Sequence, residues 1–254
     1  MKRVVVTLGL FLACLTGEVS ANPVIAGSAA NGDATLLASY EFPASLKDEF
    51  ESASRSAAAY AVENGHGMWL MYEQASNIDS SNTIAYFTVH FPDNLDELTE
   101  PASTTSGLIA EFGKYRVRAE LTRQVPDWCS TVSIDAEKLE YGYVEYLWLE
   151  PNSLDDVGLL LAERGEILRS VYGSESDGNL ATEGFVSMVA PFQVMLVLFS
   201  SESSRAAAAK QLEKDLEAGG HSDDWDRMRN KLDAYVSKRE TLSGRFRREL
   251  SAYW

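Results

Sequence analysis

Cysteine is nearly absent from this 254-residue sequence, which contains only Cys14 and Cys129. We expect Cys14 to be removed with an N-terminal segment, so Cys129 alone would remain and no intrachain disulfide could form. A single exported cysteine can be reactive or can pair between chains. We favour the alternative, in which Cys129 is a small buried apolar residue.

Histidine is also scarce, and the three histidines are His66, His90 and His221. No two of them have the spacing of a metal site, no cysteine pair is available for zinc, and the acidic segments lack the pattern of a calcium loop. A nucleophile elbow, a phosphate-binding glycine loop and a dinucleotide motif are missing as well. We therefore expect no metal and no cofactor, and we disfavour acyl, phosphoryl and nucleotide-dependent hydride transfer.

Basic residues are few relative to acidic ones: 22 Lys and Arg stand against 38 Asp and Glu, a formal charge of −16. A surface of this charge repels phosphate backbones and anionic lipid headgroups, which excludes a general nucleic-acid-binding protein. The hydrophobic fraction of 45% is too high for a disordered chain. The composition is typical of an acidic globular protein.

Long apolar runs are missing except for residues 4–15, which follow a cationic start and precede Val19-Ser20-Ala21. This order is typical of a secretory signal peptide. The run is shorter than the about 20 residues that span a membrane. We expect a signal peptide over residues 1–21, cleavage after Ala21, and a periplasmic or secreted bacterial protein without a transmembrane segment. The alternative is a lipoprotein processed at Cys14.

The remaining chain has an order of elements that occurs twice. A flexible leader over 22–33 precedes a first α+β module at 34–125, a linker at 126–140, a second α+β module at 141–220 and a C-terminal helical arm at 221–254. The predicted elements are strands at 35–42, 68–75, 83–91, 141–149, 183–190 and 192–199, and helices at 46–61, from Asp93-Asn94 onwards, at 154–171 and at 203–216. Each module then reads β-α-β-β-α. Residues 43–48 (PASLKD) and 151–156 (PNSLDD) match at the same strand-to-helix junction, where Ser45 and Ser153 are expected to cap the helices.

Residues 115–124 allow two interpretations. Tyr115, Val117 and Leu121 fall in a two-residue alternation, which is typical of a half-buried strand. The matching place in the second module holds a helix with Trp225 and Met228 on one face. Consistency between the modules leads us to predict a helix here too.

The duplicated order resembles the ferredoxin-like dimeric α+β barrel superfamily, which includes the antibiotic-biosynthesis-monooxygenase, NIPSNAP-like and EthD-like types. The resemblance covers residues 34–220 and rests on the order and length of elements. It implies two modules whose sheets pair into a barrel with helices outside, as a pseudo-twofold monomer or as a homodimer. Some relatives degrade haem, and others oxidise aromatic substrates without a cofactor. Their Asn, Trp and His site residues have no ordered match here, so none is transferred.

Six residues are candidates for a site. His90 shares a strand face with Tyr86, and near a barrel cavity the pair could serve a proton shuttle or a haem ligand; the alternative is a hydrogen-bonded structural histidine. The mixed polar face of this strand is one that a barrel lumen would tolerate. The aromatic residues Trp69, Tyr72, Tyr143 and Trp148 can line a pocket for an apolar ligand, or can belong to the core.

We expect a non-catalytic protein of the cell envelope that binds a small apolar ligand or a protein partner. One alternative is a cofactor-independent oxygenase or haem-handling enzyme that uses the barrel cavity. Another is a structural or interaction protein that uses the C-terminal arm.

Overall fold

A computed structural model describes residues 34–64, 68–74, 82–91, 115–130, 138–172, 180–189 and 192–253. The predicted signal peptide and leader lie outside these residues, as do His66 and the start of the helix predicted from Asp93-Asn94. The strands are β1 (Ala34–Pro43), β2 (Met68–Gln74), β3 (Thr83–Phe91), β4 (Arg116–Gln124), β5 (Tyr141–Leu149), β6 (Leu180–Ser187), β7 (Gln193–Ser200) and β8 (Val236–Phe246). The helices are α1 (Lys47–Asn64), α2 (Leu154–Tyr172), α3 (Arg205–Gly219) and α4 (Ser222–Asp233). No helix among the described residues is long and apolar enough to cross a membrane.

The eight strands form a closed antiparallel barrel in the order β1-β3-β2-β8-β5-β7-β6-β4, with β4 returning to β1. Within the first half the neighbours run β4-β1-β3-β2, and within the second half they run β8-β5-β7-β6. The halves join twice by equivalent pairs, β2 with β8 and β6 with β4. The predicted duplication and the α+β barrel are therefore confirmed, and the barrel closes within one chain.

Two secondary-structure predictions are wrong. Residues 116–124 form strand β4 rather than a helix, and the predicted helical arm turns into strand β8 after α4. The counterpart of β4 in the second half is β8, not α4. The predicted correspondence between residues 115–124 and the helix that contains Trp225 is therefore wrong. Each half needs this fourth strand, because β1 and β5 would otherwise leave one row of backbone donors and acceptors unpaired.

The barrel lumen is filled by apolar side chains from both halves. They include Leu37, Leu70, Tyr72, Phe87, Val89, Val144, Tyr146, Phe185, Met195, Val197, Phe199 and Phe246. On β3 this leaves Tyr86 and His90 on the outer face, because successive residues of a strand point to opposite faces. The expectation that the lumen accepts this polar face is therefore wrong.

The helices cover the outside of the barrel. Helix α1 packs Phe50, Ala57 and Ala61 on the outer face of the first half, together with Leu250 and Ala252 from the C-terminal segment. On the second half, α2 and α4 pack their buried residues against Leu147 and Val194. Burying one such Leu or Val contributes about 1.5–3 kcal/mol, so each helix is fixed by its apolar stripe.

The helix ends differ in part from the predicted caps. Gly220 ends α3 with φ 73°, as its place after the helix predicts. The Ser153 hydroxyl donates to the carbonyl of Glu150 at 2.6 Å instead of accepting an amide, and Ser45 lies inside a 3-10 turn. Neither serine is therefore a side-chain cap of the expected kind.

Cys129 is buried, as predicted. Burial is the main cause that raises the pKa of its thiol to about 12, so the thiol stays protonated near neutral pH.

Candidate functional site

His90 lies on the outer face of β3 in the first half and is 4% exposed. Its ring meets the Trp69 ring edge-on, with 5.8 Å between centroids. Burial lowers the pKa of His90 to about 4, so the ring is neutral at pH 7. Its Nε2 has no hydrogen-bond partner among the described residues. These features describe a neutral packed histidine rather than one that exchanges protons with a substrate.

Tyr86 is held in a charged network on the same outer face. Its hydroxyl donates to Glu51 at 2.7 Å and accepts from Arg247 at 3.1 Å. Arg247 also bridges Glu51 at 2.9 Å and contacts Glu73. Lys47 completes the network, with its Nζ 2.6 Å from Glu73. The network ties α1 and the C-terminal segment to the sheet, which occupies Tyr86 with structural contacts.

The four aromatic candidates do not meet in one place. Tyr72 lies in the lumen, where its ring stacks on Phe87 at 4.8 Å. Trp148 lies at one end of the lumen, and Lys238 stands 4.4 Å from its ring centroid. Trp69 lies on the outer face of the first half and donates to the carbonyl of Leu250. Tyr143 lies on the outer face of the second half and lines a cavity there.

A charged cluster lies beside Tyr146 and Trp148. The Arg118 guanidinium stands 3.8 Å from the Tyr146 ring centroid. It also forms ion pairs with Glu120 at 3.3 Å and Glu240 at 3.2 Å. The cation in this cluster already has carboxylate and aromatic partners.

The cavity beside Tyr143 lies between the outer face of β5, β7 and β8 and the three helices α2, α3 and α4. Its volume is about 320 Å³. We call it the helix-covered cavity. Its apolar walls are Leu196, Leu198, Ala208, Leu212, Leu216, Trp225, Met228 and Leu232. The apolar stripe of α4 predicted from Trp225 and Met228 forms one of these walls.

Charged residues interrupt the apolar walls. Arg205, Arg229 and Arg239 line the cavity together with Glu145 and Glu213. Arg239 forms ion pairs with Glu145 at 3.2 Å and with Asp233 at 2.5 Å. The Arg205 guanidinium lies 4.5 Å from the Tyr143 ring centroid. Arg205 and Arg229 are exposed and mark the rim.

Arg164 is the most unusual residue of the cavity wall. The residue is 8% exposed, and its Nη1 has no hydrogen-bond partner among the described residues. Burial is the main cause that lowers its pKa to about 10, so the guanidinium is still charged at pH 7. The Trp225 ring centroid lies 5.8 Å away. A buried charge without a hydrogen-bond acceptor costs several kcal/mol, which makes Arg164 a candidate ligand-binding residue.

Sequence reasoning missed Arg164, although the signal was present. The buried residues of α2 include Val157, Leu160, Leu161 and Leu168, and Arg164 falls on the same stripe at steps of three, four and seven residues. A charged residue at a core position of an amphipathic helix is rarely buried without a partner. That position, rather than a motif, could have identified it.

A second concavity is an open groove of about 640 Å³ lined in part by Trp128, Leu159 and Met188. Leu159 is 73% exposed there. The groove is larger than the helix-covered cavity, but neither of its charged residues, Arg123 and Asp155, is buried. We therefore place the candidate site in the helix-covered cavity.

Haem does not fit the residues that the structure brings together. His90 is packed against Trp69 in the first half, whereas the helix-covered cavity lies in the second half and the described residues that line it include no histidine. His221 is hydrogen-bonded to the Ser170 hydroxyl at 2.8 Å. Among the described residues, no three His, Cys, Asp or Glu side chains are grouped to hold a metal ion.

Comparison with known proteins identifies the fold. No family model matches the sequence, and no curated protein matches it. Among solved structures, a proposed monooxygenase from Lactobacillus acidophilus has a TM-score of 0.56 at 7% identity, covering 87% of this chain and 95% of that one. An anthrone oxidase-like protein has a TM-score of 0.54 at 12% identity, covering 89% and 94%. Chlorite dismutase from Candidatus Nitrospira defluvii in complex with imidazole has a TM-score of 0.52 at 10% identity, covering 86% and 92%.

These neighbours share the dimeric α+β barrel fold, which confirms the resemblance stated from the order of elements. Because all of them are less than 25% identical to this chain, the likeness establishes the fold alone.

Proposed function

We propose that this dimeric α+β barrel protein binds a small, largely apolar ligand in the helix-covered cavity. The observation that carries the proposal is the cavity itself: about 320 Å³ with walls of Leu, Met and Trp and a few charged groups. Ligand sites commonly have this size and this mixture of apolar lining with a few polar groups. The first half differs, because there the C-terminal residues Leu250 and Ala252 pack on the outer face of the sheet beside α1.

A pair of alanine variants on α3 tests the location. Ala209 lines the cavity and is exposed, whereas Ala206 is exposed on the same helix but does not line it. A tryptophan at either position adds the same bulk to an exposed helical site. We expect aromatic ligands to raise the melting temperature of the wild type and of Ala206→Trp, but not of Ala209→Trp. A shift that survives in Ala209→Trp would place binding elsewhere.

A second candidate function is cofactor-independent oxidation in the same cavity. It is favoured by two solved neighbours with TM-scores above 0.5 that are described as a proposed monooxygenase and as anthrone oxidase-like. Glu145 is a carboxylate in the cavity wall and could remove a proton from an activated CH₂ group beside a carbonyl. The carbanion would react with O₂, one oxygen atom would enter the new carbonyl, and the other would leave as water with two hydrogens of the substrate.

Anthrone is the substrate with which to test this second function. We expect quinone formation above the uncatalysed rate in the wild type and in His90→Gln, with its loss in Glu145→Gln. Equal rates in wild type and Glu145→Gln, or no rate above background, would reject an oxidase role for this cavity and leave the binding proposal standing.

We further propose that the protein acts outside the cytoplasm of a bacterium, on the basis of the signal pattern before Ala21. The N-terminus of the mature protein tests this. We expect the mature protein to begin at Asn22. A chain acylated at Cys14 would support the lipoprotein alternative. Retention of Met1 would contradict export.

A further inference from the structure

Arg164 distinguishes this cavity from a plain apolar pocket, because it places the guanidinium of a residue that is only 8% exposed in the cavity wall. Its Nη1 is buried and lacks a hydrogen-bond partner among the described residues. Among the described carboxylates, Glu145 is the one whose charge acts on Arg164. That carboxylate is engaged by Arg239 at 3.2 Å.

From this arrangement we propose that the ligand of the helix-covered cavity is a monocarboxylic acid with an apolar, ring-bearing body, and that Arg164 binds its carboxylate. This inference rests on the proposed binding function and names the class of molecule that is bound. It assigns Arg164 a specificity role rather than a catalytic one.

A carboxylate is the anion that best matches these groups. The planar guanidinium presents two parallel N–H donors, which fit the two oxygens of a carboxylate. A single buried cation balances a single negative charge. A phosphate dianion would bring a second charge into the apolar interior, where no further buried cation is available among the described lining residues.

The rest of the cavity supports an acid with an apolar body. Leu196, Leu216 and Met228 are among the apolar residues that line the same space as Arg164. Exposed Arg205 and Arg229 stand at the rim of a protein whose formal charge is −16. Glu213 is an exposed carboxylate of the same lining, so the two arginines leave the entrance with a net positive charge, which offsets part of the repulsion that an anion would meet elsewhere on the surface.

The test uses naphthalene-2-carboxylate and its neutral isostere, naphthalene-2-carboxamide, titrated calorimetrically at pH 7. Both probes have the same two-ring body, so their difference reports the charge. We expect the wild type to bind the acid at least tenfold more tightly than the amide. In Arg164→Met the acid should lose this preference while the amide still binds, and Arg164→Lys should retain part of the preference. Arg229→Met, a rim control, should keep most of it.

The outcomes separate this inference from the proposed function. If neither probe binds the wild type, both fail. The carboxylate inference fails if the wild type binds the amide and the acid equally well, or if the preference for the acid survives in Arg164→Met. In either case the protein binds ligands, but Arg164 does not bind their carboxylate. The melting temperature of unliganded Arg164→Met gives an independent check. It should not fall below that of the wild type, because the substitution removes an unsatisfied buried charge.

Discussion

Protonation of His90 is expected to destabilise the fold as the pH falls below 6.5. The ring is 4% exposed, and burial lowers its pKa from 6.5 to about 4. Between these two values the unfolded chain binds a proton that the folded protein does not bind, so acidification favours unfolding. Stability from this group is thus fully present above pH 6.5 and is lost as the pH falls towards 4.

The magnitude follows from the separation of the two pKa values. One pKa unit corresponds to about 1.4 kcal/mol, so at pH 4 the wild type should have lost about 3 kcal/mol through His90. Carboxylates also contribute at acid pH. Burial opposes ionisation of Glu51, but hydrogen bonds from Tyr86 and Arg247 outweigh burial and lower its pKa. This contribution is common to the wild type and to a His90 variant and cancels in their difference.

The assay is urea unfolding of wild type and His90→Gln at a series of pH values from 7.5 to 4. The glutamine side chain does not titrate, so the difference in unfolding free energy between the two proteins should change by about 3 kcal/mol over this range. Parallel pH profiles would show that His90 takes up its proton in the folded protein and would refute its assignment as a buried neutral residue.

Three further predictions concern the architecture. Gly142→Val should lower the free energy of unfolding by about 3 kcal/mol in urea titrations, because a Cβ at Gly142 would overlap the Tyr72 ring. A change below about 0.5 kcal/mol would contradict this packing. Arg247→Met should lower the free energy of unfolding by about 3 kcal/mol, because Glu51 loses its ion-pair partner. Adding Glu51→Gln should restore part of this loss. Additive effects of the two substitutions would show that the two residues are not coupled. Truncation before Val236 removes β8, which pairs with β2 and β5, and should abolish cooperative thermal unfolding. A truncated chain that still melts cooperatively would show that the barrel does not need this strand.

Most strands of the barrel could be predicted from the sequence, because the hydrophobic pattern is clear where both faces of a strand are buried. The strands at 83–91 and 141–149 have the predicted bounds, and the duplication was visible at the Pro43 and Pro151 junctions. The alternating pattern of 115–124 also indicated a strand. The helix predicted there by analogy with the second module is wrong, because local periodicity does not show which strands pair across the two halves.

The site was less accessible to sequence reasoning. Alternation shows that Tyr86 and His90 share one face, but it does not say whether that face points into the lumen or outwards. The inner face is decided by which residues of both halves can fill the lumen together, as Phe87 and Val89 do. The place of Arg164 on the apolar stripe of α2 marks it in the sequence, but its lack of a hydrogen-bond partner depends on where Glu145 and Arg239 lie in space.

The most direct test of the account is the crystal structure of the protein soaked with 6-bromonaphthalene-2-carboxylate, in which the bromine is located by its anomalous signal. We predict a bromine peak within the helix-covered cavity and a ligand carboxylate within hydrogen-bonding distance of the Arg164 guanidinium. A peak in the barrel lumen, in the open groove beside Leu159 or under α1, with the helix-covered cavity empty, would contradict the assignment of the binding site.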